Sequence, residues 1–150
     1  MIVAPPAFAT ALLAVALGGM APDLEQIDVS GQWMITETRA GNRCTGRLAL
    51  EKRGAKEQPS QSVLGMQRGS AAYSSPCVDP AQGTWTAQQG GRTGPRLAAR
   101  LEYEKSTVFY SLGLDESNKG KLKGYGEIYA APRSDPNNLR KVGLFEAVRQ

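Results

Sequence analysis

The sequence of 150 residues contains no histidine. Its absence excludes Ser-His-Asp and Cys-His nucleophile systems, histidine-based metalloprotease sites and Cys/His zinc sites. The most versatile general base near neutral pH is missing with it. Paired carboxylates remain, since Asp and Glu number 14 together, but no pair stands out by its context. The sequence therefore predicts a protein that is not an enzyme and that has no catalytic residue, metal or cofactor.

Strong charge is also lacking. Charged residues make up 21% of the chain and the net charge is only +4, which weakly favours anionic surfaces. Nucleic-acid binders usually concentrate more basic charge on one face, so no nucleic-acid partner is predicted. The hydrophobic share of 41% is close to the globular norm. A chain of this length suffices for one ordinary domain, without room for two independent cores.

Charge is absent altogether from residues 2 to 19, IVAPPAFATALLAVALGG. The part from Ala7 to Leu17 has the length of the hydrophobic region of a signal peptide, and small residues follow it up to Ala21. No basic residue precedes the run, however, and Pro22 follows the expected cleavage point. The run is also close to the shortest that can span a bilayer.

Three interpretations of this segment remain open. It is a cleaved export signal, a retained membrane anchor, or the lumen-targeting half of a longer plastid presequence. In each case residues 1–22 form a targeting segment or anchor, and residues 23–150 form a single domain. We expect that domain to be exported to a periplasm or a thylakoid lumen, either free or anchored to the membrane by residues 2–19.

Cysteine is scarce, since the chain has only Cys44 and Cys77. An even pair in an exported domain most simply forms one disulfide. Two free thiols would suit a cytosolic protein better. A redox-active pair is not expected, because no Cys-x-x-Cys motif brings the two close in sequence.

Long helical periodicity is missing beyond residue 30, where apolar residues recur instead with a period of two. Four segments show this alternation well. Their predicted buried faces are Cys44, Gly46, Leu48 and Leu50; then Leu97, Ala99, Leu101 and Tyr103; then Val108, Tyr110, Leu112 and Leu114; and then Leu122, Gly124, Gly126, Ile128 and Ala130. The two glycines on the last of these faces indicate sharp strand curvature or the close approach of a neighbouring strand.

Four further strands are predicted at residues 31–38, 61–68, 83–89 and 139–149. The last of these has Val142, Leu144 and Val148 on one face and Phe145 and Ala147 on the other. About eight antiparallel strands at this spacing form a sandwich or a closed barrel. We favour an all-β, antiparallel barrel, because closure removes exposed strand edges and short hairpins favour an up-and-down order.

The stretch Ser-Gly-Gln-Trp, which contains Gly31 and Trp33, resembles the Gly-x-Trp motif of the lipocalin (calycin) barrels. The resemblance implies a lipocalin-like barrel in which Trp33 packs across the closed bottom. It also implies a small apolar ligand in the interior, although the ligand-binding residues stay unidentified.

A second resemblance, to the bacterial metalloprotease inhibitors of the alkaline-protease type, is carried by GQWMI, CTGRLAL and Cys77 followed by GTW. It implies a small periplasmic barrel with Cys44 and Cys77 as its disulfide. It also implies that Ala21 to Ser30 form an arm that enters the protease cleft. The sequence departs from that family's pattern after Trp85.

Basic residues recur at Lys119, Lys121 and Lys123 and again at Arg92, Arg96 and Arg100. They either contact anionic lipid or an acidic partner, or form a solvated outer face. Three functions are therefore expected: a binding barrel for a small apolar ligand or a protein partner, a membrane-anchored accessory subunit of a larger membrane complex, or an inhibitor of a secreted metalloprotease.

Overall fold

The computed structural model describes residues 28–53, 66–89, 95–116 and 121–150. These residues form eight antiparallel strands and no helix. The strands are β1 (Gly31–Arg39), β2 (Asn42–Lys52), β3 (Gln67–Ser75), β4 (Val78–Gln88), β5 (Arg96–Glu102), β6 (Ser106–Glu116), β7 (Leu122–Pro132) and β8 (Arg140–Arg149). Each strand pairs with its neighbour in chain order, and β8 pairs with β1. The predicted all-β, closed antiparallel barrel is confirmed.

The predicted targeting segment, residues 1–22, lies outside the described residues. Among the residues that are described, none belongs to a helix long and apolar enough to cross a membrane.

The up-and-down order gives the barrel two different ends. The connections β1–β2, β3–β4, β5–β6 and β7–β8 lie together at one end, which we name the rim. The described chain begins at Asp28 and ends at Gln150 at the opposite end, which we name the closed end.

The predicted alternation holds along most strands. In β2 and β5 the predicted residues Cys44, Leu48 and Leu50, and Leu97, Ala99 and Leu101, are buried, whereas the predicted Gly46, and Tyr103 directly after β5, are only half-buried. In β6 the predicted Val108, Tyr110, Leu112 and Leu114 are buried, and so is Thr107, which the alternation does not predict. In β8 it is Phe145 and Ala147 that are buried, whereas Leu144 and Val148 lie on the outer surface, 53% and 37% exposed.

Three details of the strand predictions are wrong. A strand is predicted at residues 83–89, but β4 begins five residues earlier, at Val78. The third strand was predicted at residues 61–68, but β3 runs from Gln67 to Ser75, and residues 61–65 lie outside the described part. The buried positions of β3 begin with Gln67, Gly69 and Ala71, so small and polar residues conceal its alternation. Ala130 is predicted on the buried face of β7 but is only half-buried, whereas Ala131 is buried opposite Thr107 of β6. The register of β7 with β8 shifts between Ile128 and Tyr129, where Val142 of β8 has no partner in β7.

The two glycines of β7 do lie against a neighbouring strand, as predicted. A Cβ atom at Gly126 would lie 1.9 Å from the backbone oxygen of Ser111, and one at Gly124 would lie 2.3 Å from Leu112 Cδ1. Neither position has room for a side chain unless the β6–β7 pair moves apart.

Replacing Gly126 with alanine is therefore expected to lower the free energy of unfolding by about 1–3 kcal/mol, the usual cost of overpacking. Urea denaturation measures this. Gly113→Ala in β6 is the matched control, because a Cβ atom there would meet only Arg96 Nη1, at 3.8 Å. Equal stability of the two variants would contradict the close approach of β6 and β7.

Candidate binding site at the barrel rim

The closed end is sealed by the residues that precede β1. Val29 is fully buried, and its N–H donates to Gln67 Oε1 at 3.0 Å. Its carbonyl accepts a hydrogen bond from Trp33 Nε1, also at 3.0 Å. Gly31 has a φ of 117°, which side-chain-bearing residues rarely adopt. Gly31 and Trp33 thus let the chain turn into β1 while the indole closes the bottom of the core.

The interior between the two ends is occupied by large side chains. Leu48, Leu101, Leu112 and Ile128, from four different strands, are each at most 2% exposed. Trp85 is equally buried, and its Nε1 donates to the backbone oxygen of Glu51 at 3.1 Å. The middle of the barrel is therefore a packed core.

A buried polar cluster lies above this core, just below the rim. Glu37 is only 2% exposed, and its Oε2 accepts a hydrogen bond from the hydroxyl of Tyr110 at 2.5 Å. The Arg39 guanidinium covers the pair, with Nη2 donating to the Tyr110 hydroxyl at 2.9 Å and Nε lying 3.4 Å from Glu37 Oε1. The carboxylate is thus held by one hydroxyl and one cation, as a buried charge requires.

Aromatic rings surround the cluster. The ring of Tyr110 lies 5.4 Å from that of Tyr73 and meets Phe145 edge-on at 5.1 Å. The hydroxyl of Tyr103 is also buried, without a hydrogen-bond partner among the described residues.

The cluster changes the acidity of its members. Burial, reinforced by the hydrogen bond to Glu37, raises the pKa of Tyr110 far above its ordinary value. Burial and the negative charge of Glu37 raise the pKa of Tyr73 to about 12. For Arg39, burial alone would lower the pKa, but Tyr110 and Glu37 outweigh it and the pKa is raised.

These shifts predict an alkaline limit to stability. Because the pKa of Tyr73 is higher in the folded barrel than the usual value near 10, its neutral form stabilises the fold below pH 10. That contribution is lost between pH 10 and about 12, at up to about 1.4 kcal/mol per pH unit. Absorbance titration of phenolate should show Tyr73 and Tyr110 ionising late, together with loss of the far-ultraviolet β signal. Ionisation of all five tyrosines near pH 10 in an intact barrel would contradict this.

The disulfide predicted from the sequence lies at the rim. Cys44 and Cys77 are joined with a Cα–Cα distance of 6.3 Å. The hydrogen-bonded register of β2 with β3 extends toward the rim only as far as Arg47 and Ser74. Beyond that point the disulfide links the start of β2 to the β3–β4 turn. A disulfide is consistent with an oxidising, exported compartment.

A depression of about 780 Å³ opens at the rim between the β3–β4 and β5–β6 turns. Arg39 and Val108 line it from the barrel side, residues 76–80 from one turn and residues 102–106 from the other. Pro76, Val78, Pro80 and Tyr103 supply apolar surface. We name this feature the rim depression.

The charges of the rim depression are partly engaged and partly free. Glu102 is held by Arg100 at 2.6 Å and by the Thr107 hydroxyl at 2.8 Å, and these contacts lower its pKa, with Thr107 the larger cause. Asp79 and Glu104 are exposed and make no ion pair or side-chain hydrogen bond within the described part of the chain. The unpaired carboxylates of Asp79 and Glu104 therefore share the depression with apolar residues and with the cations Arg39 and Lys105.

Sequence reasoning missed the polar cluster, although one signal pointed to it. Trp33, Ile35 and Glu37 share one face of β1, and that face is buried. Because Glu37 alternates with Trp33 and Ile35, its side chain is expected to face the core. A carboxylate in that position indicates a buried charge that needs a partner. The rim depression had no such signal, because it arises where two turns from distant parts of the sequence meet.

The basic residues singled out from the sequence lie on the outer surface where they are described. Lys121, Arg96 and Arg100 are exposed, and Lys123 is half-buried. Lys119 and Arg92 lie outside the described residues. Among described side chains, no group of three or more potential ligands could hold a metal ion.

No protein-family model matches the chain, and no curated protein matches its sequence. The eight-stranded closed barrel is compatible with a lipocalin-like fold, and the resemblance is one of architecture. The same barrel and disulfide also suit the inhibitor architecture, but membership of either family does not follow.

Proposed function

We propose that the protein is an exported, non-enzymatic barrel that binds an extended segment of a protein partner in the rim depression. The observation that carries the proposal is the contrast between the two parts of the barrel. The middle is filled by buried side chains, whereas the rim offers an open depression of about 780 Å³ with apolar and charged groups.

The chemistry of the rim depression favours one kind of segment. Pro76, Val78, Pro80 and Tyr103 offer apolar contacts. Three carboxylates, of Asp79, Glu102 and Glu104, line the depression with two cations, Arg39 and Lys105, so the unpaired Asp79 and Glu104 leave a net attraction for positive charge. An apolar side chain flanked by lysine or arginine would satisfy both. A small apolar ligand held inside the barrel, the alternative from the sequence, is less well supported, because Leu48, Leu101, Leu112 and Ile128 occupy the interior.

Fluorescence anisotropy tests the proposal. The probe is a labelled peptide in which leucine and phenylalanine alternate with lysine, compared with the same peptide carrying glutamate in place of lysine. The lysine peptide is expected to bind more tightly, and Asp79→Asn/Glu104→Gln to weaken it about tenfold, since each exposed charge pair contributes up to about 1 kcal/mol.

Asp135→Asn/Glu146→Gln serves as the control, because both residues are exposed and lie outside the depression. It removes the same net charge and is expected to leave the affinity within about twofold. Equal weakening by both double variants, or no binding of the lysine peptide, would overturn the proposal.

The second candidate is a membrane-anchored accessory subunit on the lumenal or periplasmic side of a larger complex. The described chain starts at the closed end, so an anchor formed by residues 2–19 would leave the rim facing away from the membrane and open to a partner. Mass spectrometry of the protein from its source membrane distinguishes a free binding protein from an anchored subunit. A mature chain that starts near Pro22 argues against anchoring.

Inhibition of a metalloprotease through residues 21–30 has less support. Residues 21–27 lie outside the described part. Of the rest, Val29 is bonded into the closed end, and the backbone oxygen of Asp28 accepts from Arg149 Nη1 at 2.6 Å. A free inserting arm would therefore have to end before Asp28.

A further inference from the structure

The outer surface toward the closed end carries two adjacent exposed apolar residues. Val148 of β8 is the register partner of Met34 of β1, and the two are 37% and 45% exposed. On one side Lys123 pairs with Val148, and on the other Arg47 pairs with Met34. We name these four neighbouring residues, on four consecutive strands, the basal band.

The basal band departs from what a solvated sheet face requires. Outward positions of an antiparallel sheet that faces water are normally polar. Here an apolar pair lies between two basic residues. Tyr125, two residues further along β7, is 59% exposed, and Lys123 Nζ lies 6.0 Å from the centre of its ring. Aromatic, apolar and basic side chains in one place are typical of surfaces that enter the headgroup region of a bilayer.

The closed end also holds most of the excess positive charge of the described residues. Among the side chains described at the strand ends there, seven are basic and three are acidic: Lys52, Arg53, Arg68, Arg96, Lys121, Lys123 and Arg149 against Asp28, Glu51 and Asp115. At the rim the two signs nearly balance, with Arg39, Arg43, Lys105, Arg133, Arg140 and Lys141 against Glu37, Asp79, Glu102, Glu104 and Asp135.

The direction of the chain brings the same end toward any membrane that the N-terminal segment enters. The uncharged residues 2–19 are separated from Asp28 by residues 20–27. A linker of that length spans at most about 29 Å when fully extended. If residues 2–19 enter a bilayer, the closed end is the end of the barrel to which they are joined.

We propose that the basal band and the closed end bind the surface of a bilayer that contains anionic lipid. Arg47 and Lys123 contact headgroup phosphates, and Met34 and Val148 enter the interface between headgroups and acyl chains. Met34 and Arg47 border a second depression that includes Pro76, so this surface adjoins the rim depression at that residue. Lys123 and Val148 lie nearer the closed end. Bilayer binding does not depend on the identity of the partner at the rim.

Vesicle co-sedimentation of the full chain tests this proposal. Binding to vesicles of phosphatidylcholine alone is compared with binding to phosphatidylcholine mixed with phosphatidylglycerol. Since residues 2–19 can bind both, the ratio of the two partition coefficients isolates the contribution of charge. The ratio is expected to exceed one and to fall as salt is added. In Arg47→Gln/Lys123→Gln it is expected to drop about thirtyfold, at about 1 kcal/mol per basic residue.

Arg43→Gln/Arg140→Gln is the matched control, because both residues are exposed at the rim and the change in net charge is the same. It is expected to leave the ratio within about twofold, and Met34→Ser/Val148→Ser to weaken binding to the anionic vesicles. Circular dichroism checks that each variant keeps its β signal. The proposal is overturned if the wild-type chain shows no preference for anionic vesicles, or if the rim control lowers the ratio as much as the basal-band variant.

Discussion

Replacing Arg39 with methionine is expected to lower the free energy of unfolding by about 3–5 kcal/mol, the usual cost of removing one partner from a buried ion pair. Glu37 is 2% exposed, and the guanidinium of Arg39 provides its cation, at 3.4 Å. Methionine keeps much of the side-chain volume but supplies neither charge nor N–H donors. The carboxylate of Glu37 would then be held by the Tyr110 hydroxyl without a cation.

A double-mutant cycle separates this effect from lost packing. Glu37→Gln/Arg39→Met removes both charges, so it is expected to be more stable than Arg39→Met alone, with a coupling of about 1–3 kcal/mol. Urea denaturation of the four proteins supplies the numbers. If Arg39→Met changed stability by less than about 0.5 kcal/mol, like an ordinary surface substitution, the buried ion pair would have no structural role.

Removing the disulfide with Cys44→Ala/Cys77→Ala is expected to destabilise the barrel by roughly 3–4 kcal/mol. The two cysteines are 33 residues apart in sequence, and closing a loop of that length in the unfolded chain accounts for the magnitude. The loss of local stability is expected to be largest at the rim, because β2 and β3 are not paired by hydrogen bonds beyond Arg47 and Ser74.

Hydrogen exchange combined with denaturation checks that expectation. Amides of residues 75–80 should exchange faster in the double variant, whereas those of the β6–β7 pair should change only as far as global stability does. A variant as stable as the wild type, with the same exchange at the β3–β4 turn, would show that the disulfide does not hold the rim.

Much of the architecture follows from local pattern. Alternation alone predicts Leu48, Leu101 and Leu112 in the core, because apolar and polar residues alternate along a half-buried strand. The bounds of β3 do not follow from the alternation, because its first inward-facing residues are Gln67, Gly69 and Ala71. These residues are polar or small and carry little hydrophobic signal.

The site was harder to foresee. Arg39 and Tyr110 are 71 residues apart, and nothing local to either indicates that Glu37 lies between them. Likewise, the register shift at Val142 of β8 is visible only in the pairing of β8 with β7. Contacts between distant strands decide such features, so alternation predicted the barrel but not its rim.

The most direct test of the proposed role is chemical-shift mapping by nuclear magnetic resonance as the lysine-containing peptide is added. The account predicts that the largest shifts fall on residues 76–80 and 102–106, with small shifts at inward residues such as Leu112 and Ile128. Shifts concentrated on those inward residues, or at the closed end, would contradict recognition at the rim.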